Sequence, residues 1–195
     1  RRSQRLIAIS NFVRRQMVDR YAIANTKIDV VHHGGGLVEQ AKCNGWSPSK
    51  PEDRSGGILF VSSLHPHKNA DHLIRAYALL RDLVPDAPVL VVVGKDVDGQ
   101  RARLESLVQD IGVAGQVRFE GRVSDDRLLQ LFETCQLMVY PSVLEGFGLP
   151  AVEAMKAGIP LIASDRASLP EIVGDGGLKV DPNDHEGLAS AMADV

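Results

Sequence analysis

Short apolar runs alternate with amphipathic stretches along most of the chain. Arg5-Leu-Ile-Ala-Ile-Ser10 predicts a buried strand, and Ser10 and Asn11 stand where a helix running to about Tyr21 would be capped. Lys27-Ile-Asp-Val-Val-His32 predicts a second strand. The stretch from Gly34-Gly35-Gly36 to Gly57 carries Pro48 and Pro51 and shows no apolar period, so a linker or domain boundary is expected there. From Gly57 the rhythm is regular. Strands are predicted over Ile58–Ser62, Val89–Val93, Val117–Phe119, Leu137–Tyr140, Ile159–Ala163 and Leu178–Val180. Helices are predicted between them, over about 69–84, 101–111, 125–134, 150–156 and 169–173, with a last one from about Asp184 to the end. In the first of these, Leu73, Ile74, Tyr77, Ala78 and Leu80 share one stripe. The strands are short, continuous and rich in Val, Ile and Leu, as parallel strands buried on both faces are. Repeated strand–helix alternation therefore predicts a doubly wound α/β fold with a parallel sheet. Right-handed crossovers would bring every strand's C-terminal end to one edge, where ligands bind.

Composition narrows the function. The chain has 195 residues, room for one full domain and part of another. Hydrophobic residues make up 44% and charged residues 24%, which fits a globular protein and argues against disorder. Lys+Arg 22 against Asp+Glu 25 leaves a net charge of −3, so no nucleic-acid partner is expected. No apolar run approaches the roughly 18 residues of a membrane span. Cys43 and Cys135 lie far apart and outside any CxxC, which excludes a disulfide framework and points to a reducing compartment. His65, His67 and His72, and the adjacent His32 and His33, match no zinc spacing, so no metal site is expected. Neither a GxxxxGK[ST] loop, nor G-x-G-x-x-G after the first strand, nor a Gly-x-Ser-x-Gly elbow is present, which weakens ATPase, dehydrogenase and hydrolase readings. The chain starts at Arg1-Arg2 without Met or a signal peptide and is expected to be a fragment.

Four loops at the predicted C-terminal edge carry candidate chemistry. Ser62-Ser63-Leu-His-Pro-His67-Lys68-Asn69 joins a strand end to a helix start, where a lysine and free amides can hold an anion, or where the lysine is simply solvated. Gly94-Lys95 follows the next strand, and glycine there lets a ligand approach the backbone or merely serves the turn. Pro141-Ser-Val-Leu-Glu145-Gly146-Phe147-Gly148-Leu149-Pro150 is the richest segment. Pro150 suits a first helical turn, and the amides of Gly148 and Leu149 would then face outward at the positive helix end. Glu153, one turn on, can be dipole compensation, whereas Glu145 caps nothing evident. Two such carboxylates can accept from sugar hydroxyls or act as acid and base. Finally, Ser168-x-x-Glu171 predicts a capping box.

Glu145-Gly-Phe-Gly-Leu-Pro-Ala-Val-Glu153 resembles the E-x7-E motif of the retaining GT-B glycosyltransferases of group 1, glycosyltransferase family 4. The resemblance runs over nearly the whole chain. It takes in Ile9-Ser-Asn-Phe12 with Lys27–Gly34, Phe60–Asn69 with Leu73-Ile-Arg-Ala76, Val117-Arg-Phe-Glu-Gly121, Ala157-Gly-Ile-Pro160 and Pro170-Glu171. It implies a Rossmann-like C-terminal domain that binds the nucleotide-sugar donor, a GDP- or UDP-sugar, with no metal or other cofactor needed. Carried over by position, Lys68 would pair with the diphosphate and Glu145 would face the sugar and the reacting centre. Gly146, Phe147, Gly148 and Leu149 would offer amides, and Glu153 would accept from the ribose. Arg118 and Phe119 would border the base, and Ser63, Gly94 and Lys95 would also be among the donor-binding residues. Many members carry Gly-Arg where this chain has Ser62-Ser63, which makes Lys95 or Arg122 the substitute cation to look for.

Residues 1–56 are then expected to be the end of an N-terminal domain and its linker, and 57–195 a truncated donor-binding domain. The implied reaction moves a hexose, mannose by resemblance, to a glycan or lipid-linked acceptor in polysaccharide synthesis. It would take place in the cytoplasm or at the inner face of the membrane. The other half of the same enzyme would be needed for turnover. The alternative is a non-catalytic nucleotide-binding module on the same scaffold.

Overall fold

A computed structural model describes residues 3–195. Its first unit is a parallel pair, β1 (Leu6–Ala8) and β2 (Ile28–Val30), joined by α1 (Asn11–Tyr21). The Ser10 hydroxyl caps α1 by accepting from the Val13 amide, as the sequence predicts. Next comes α2 (Gly36–Cys43), and then the main sheet begins. Its elements alternate: β3 (Ile58–Val61), α3 (Ala70–Leu83), β4 (Leu90–Val93), α4 (Gln100–Asp110), β5 (Val117–Gly121) and α5 (Asp125–Thr134). The second half continues with β6 (Leu137–Tyr140), α6 (Leu149–Lys156), β7 (Leu161–Ser164), α7 (Leu169–Val173), β8 (Leu178–Val180) and α8 (His185–Ala193).

The strand order is β5-β4-β3-β6-β7-β8, with every pairing parallel. Each strand alternates its side chains between two helical layers. Ile58, Phe60, Leu90, Val92 and Val139 face α3, α4 and α8. Leu59, Val91, Met138, Leu161 and Ala163 face α2, α5, α6 and α7. Phe60, Tyr77 and Phe132 are fully buried, and each such side chain contributes about 1.5–3 kcal/mol on leaving water. The sheet is therefore doubly wound, and its winding reverses between β3 and β6. These two strands pair only through Ile58↔Leu137 and Leu59↔Met138, whereas β3 and β4 stay paired from Ile58↔Leu90 to Val61↔Val93. Beyond Leu59, β3 and β6 are no longer paired, and a crevice lies at their C-terminal ends. Such a reversal is where open α/β sheets bind ligands.

The expected linker between Gly34 and Gly57 is corrected in part. Residues 36–43 form α2, whose Val38 is fully buried in the second layer against α6. In this eight-residue helix only Val38 and Ala41 are buried, too few to set up a visible period behind three glycines. Further along, Arg54 is 7% exposed. Its Nη1 donates to the carbonyls of Phe132 and Cys135 at 2.7 and 3.1 Å, and its Nη2 to that of Ala157 at 2.7 Å. One cation thus meets the carbonyl ends of α5 and α6, where the helix dipoles are negative. Strand β7 starts at Leu161 instead of Ile159, because Pro160 has no amide to give to the ladder.

Candidate active site

The cleft at the reversal has a volume of about 540 Å³. Ser62 and Ser63 line it from the end of β3, Gly94 from the end of β4, and Tyr140 from the end of β6. Lys68 and the loop Glu145–Pro150 close one side, and Ile9 and His33 reach in from the first unit. Eight of the residues expected in a site converge here: Ser63, Lys68, Gly94, Glu145, Gly146, Phe147, Gly148 and, at the helix start, Leu149.

Charge is concentrated at one point. Lys68 Nζ donates to Glu145 Oε1 at 2.6 Å, and the two side chains are only 14% and 10% exposed. The Tyr140 hydroxyl donates to the same oxygen at 2.5 Å. Burial first, and then the Glu145 charge, push the Tyr140 phenol far above its ordinary value, so it stays protonated. The loops that carry Lys68 and Glu145 are tied through the His67 carbonyl, which accepts from the Val143 amide at 2.9 Å and the Ser142 hydroxyl at 3.1 Å. Burial and the neighbouring Lys68 hold the His67 imidazole below the ordinary histidine value.

Backbone geometry shapes the rest. The Ser168 hydroxyl bridges the carbonyls of Glu145 and Phe147 at 3.0 and 3.1 Å. The Ser10 hydroxyl donates to the carbonyl between them, that of Gly146, at 2.7 Å. Among the described residues, the amides of Gly146, Phe147, Gly148 and Leu149 have no protein acceptor. Free amides at the N-terminus of α6 form a place for an anion. Two glycines are forced here. Gly148 has φ +103, and a Cβ on it would stand 2.6 Å from Leu169 Cδ2. Gly94 has φ +150, and a Cβ there would stand 1.7 Å from the Ser62 carbonyl oxygen.

Several expected residues lie elsewhere. Glu153 does not line the cleft; its Oε1 accepts from the Leu37 amide at 2.8 Å, at the first turn of α2. Burial raises its pKa above the ordinary glutamate value. Arg118 and Phe119 lie on β5 beside a separate hollow shared with Arg101 and Glu105. Arg118 pairs with Glu120 at 3.1 Å, and the Arg101 guanidinium sits 5.9 Å from the Phe119 ring centre. Lys95 and Arg122 are exposed and do not line the cleft. The predicted capping box does not form. Ser168 makes no cap bond and spends its hydroxyl on the Glu145 loop instead. Glu171 turns toward α1, accepting from the amides of Asn11 and Phe12 at 2.8 and 3.2 Å and meeting His32 at 3.0 Å. Partial burial favours its neutral form, but these amides and His32 outweigh that and hold the carboxyl below its ordinary value.

Sequence pattern does not single out Tyr140; it marks Ser10 and Ser168 only as helix caps, and His33 only as a histidine outside any zinc spacing. Tyr140 had one signal, a hydroxyl ending an otherwise apolar strand just before the Glu145 loop. Among the described residues, no three His, Cys, Asp or Glu side chains gather as a metal site, and no helix is long and apolar enough to cross a membrane.

The family model described as "Glycosyl transferases group 1" matches residues 47–195. O-antigen chain mannosyltransferase B of Escherichia coli is 38% identical over 140 residues, covering 69% of this chain and 35% of that protein. A D-inositol 3-phosphate glycosyltransferase of Mycolicibacterium vanbaalenii is 32% identical over 209 aligned positions, covering 99% of this chain and 46% of that protein. The chain thus spans between about a third and a half of the length of these two relatives. The crystal structure of Anabaena Alr3699/HepE in complex with UDP and glucose superposes with a TM-score of 0.78 at 22% identity. That match covers 98% of this chain and 53% of that one and shows a shared GT-B fold. The chain belongs to the group 1 glycosyltransferases.

Proposed function

We propose that this chain is the donor-binding part of a retaining glycosyltransferase. In this reading it moves a hexose from a nucleotide-diphosphate sugar to a glycan or lipid-linked acceptor. The observation that carries the reading is the contact of Lys68 with Glu145 beside a loop of unpartnered amides, in the crevice between β3 and β6. When a glycosidic bond to a diphosphate breaks, positive charge grows on the sugar ring and negative charge on the leaving oxygen. Lys68 and the N-terminus of α6 are suited to the second, and the Glu145 carboxylate to the first. Because these groups are fixed before the reaction, little reorganisation is needed as charge develops. A diphosphate held by a lysine and amides requires no metal, and none is invoked.

Mannose is the proposed sugar, supported by the relative named as an O-antigen chain mannosyltransferase. GDP is accordingly the nucleotide to test first, with UDP second because the Anabaena structure is a complex with UDP. The acceptor would meet the donor from the other half of the full enzyme, in the cytoplasm or at the inner membrane face. Calorimetric titration of the chain with GDP, UDP and ADP, with and without magnesium, tests the reading. The expected result is a preference for one nucleotide that magnesium leaves unchanged. Binding of none of the three would overturn it. In the full-length enzyme, Glu145→Gln should abolish transfer while nucleotide affinity is kept.

A further inference from the structure

We propose that Tyr140 is a positioning residue for Glu145: it holds one carboxylate oxygen so that the other is presented to the sugar of the bound donor. This rests on the donor-site reading above and adds a task for a strand residue beneath the cleft. Tyr140 is the last residue of β6 and 2% exposed. Its hydroxyl meets Glu145 Oε1 at 2.5 Å, and Lys68 Nζ meets that same oxygen at 2.6 Å. No hydrogen-bond donor among the described residues reaches Oε2. The carboxylate is therefore gripped at one oxygen and unbonded at the other.

The two grips differ. Lys68 is a point charge on a flexible four-carbon stem, and a diphosphate entering the cleft competes for it. Tyr140 has a rigid side chain with only two torsions, and its ring lies in the second core layer with Met138, Ala163 and Leu169. As Lys68 turns toward phosphate, the phenol remains, and Glu145 keeps its orientation. Because burial and the nearby carboxylate keep the phenol protonated, the O–H is available to donate throughout the neutral range. The rest of β6 reads Leu-Met-Val, and phenylalanine would fill the ring's space. A buried hydroxyl is costly unless bonded, and here its partner is Glu145.

The test compares the chain with Tyr140→Phe by titration against GDP, UDP, GDP-mannose and UDP-glucose. Affinity for the nucleotides alone should stay within about two-fold, and affinity for the matching nucleotide-sugar should fall about ten-fold, the worth of one hydrogen bond to a charged group. In a Glu145→Ala background, Tyr140→Phe should have no further effect, because the oriented group is already gone. Equal losses for nucleotide and nucleotide-sugar, or an undiminished effect in the Glu145→Ala background, would mean that Tyr140 is only part of the core. Circular dichroism checks folding, and Tyr140→Met offers a second hydroxyl-free side chain if the phenylalanine variant does not fold. If the unaltered chain binds none of the four ligands, the donor-site reading falls and Tyr140 with it. If the unaltered chain binds and Tyr140→Phe matches it, only the assignment to Tyr140 falls.

Discussion

The hydroxyl of Ser10 accepts from the Val13 amide and donates to the carbonyl of Gly146, 136 positions away in sequence, at 2.7 Å. One oxygen therefore starts α1 and fixes the glycine loop of the cleft. Ser10→Ala removes both bonds at a fully buried position. The expected cost is about 1–2 kcal/mol from the lost cap and the orphaned carbonyl, read as a lower midpoint in urea. Nucleotide affinity should fall with it. Unchanged affinity would show that the loop keeps its shape without this tether.

Ser168→Ala should act more strongly on the same loop. Ser168 is fully buried, and its hydroxyl serves the carbonyls of Glu145 and Phe147 together. Its loss leaves two buried acceptors unsatisfied, at about 1–3 kcal/mol for the first. The amides of the loop should then turn away from the cleft. Nucleotide affinity should therefore fall further in this variant than in Ser10→Ala, and an equal or smaller fall would show that Ser168 does not shape the loop.

Arg54→Met should be the most destabilising change outside the cleft. It keeps much of the apolar stem but abandons the carbonyls of Phe132, Cys135 and Ala157 at two helix ends. The expected loss is about 3 kcal/mol or more, measured by urea unfolding. Arg54→Lys should recover only part of it, because an ammonium lacks the planar fork that spans both helices. A loss below about 1 kcal/mol would show that water replaces the guanidinium.

Acid should loosen the first unit from the sheet. Glu171 is held below its ordinary pKa in the folded protein, so its ionised form favours folding. That contribution is complete above the ordinary glutamate range. It disappears as the pH falls through that range and through the lowered folded value. Unfolding free energy measured against pH should therefore drop on the acid side, and Glu171→Gln should flatten that limb. An identical acid limb in the variant would exclude Glu171 as its source.

The strands and helices from Ile58 onward were legible because burial on both faces leaves continuous Val, Ile and Leu runs, while amphipathic helices keep a period. The convergence of Lys68 and Glu145 was legible too, since parallel winding sends both loops to one edge. What escaped pattern was set by contacts between distant segments. The eight residues of α2 are a helix because Val38 and Ala41 find a surface, not because their own sequence marks one. Ser168 and Glu171 have cap spacing, yet each meets a better partner across the fold: Ser168 the Glu145 loop, Glu171 the start of α1. Glu153 stands at motif spacing, but in this structure the Leu37 amide takes its Oε1. Such competition between partners cannot be read from spacing alone.

The brief pairing of β3 with β6 also bears on how the protein is made. Translation delivers β3, β4 and β5 first, so one side of the crevice can be in place while β6 has yet to be synthesised. The Glu145 loop follows β6, but the hydroxyl that ties the carbonyls of Glu145 and Phe147 arrives only with Ser168. A nascent chain halted between the two would carry Lys68 and Glu145 with the loop held only at Gly146, by Ser10. The cleft is thus finished late in synthesis, by a residue outside the acidic motif that marks it.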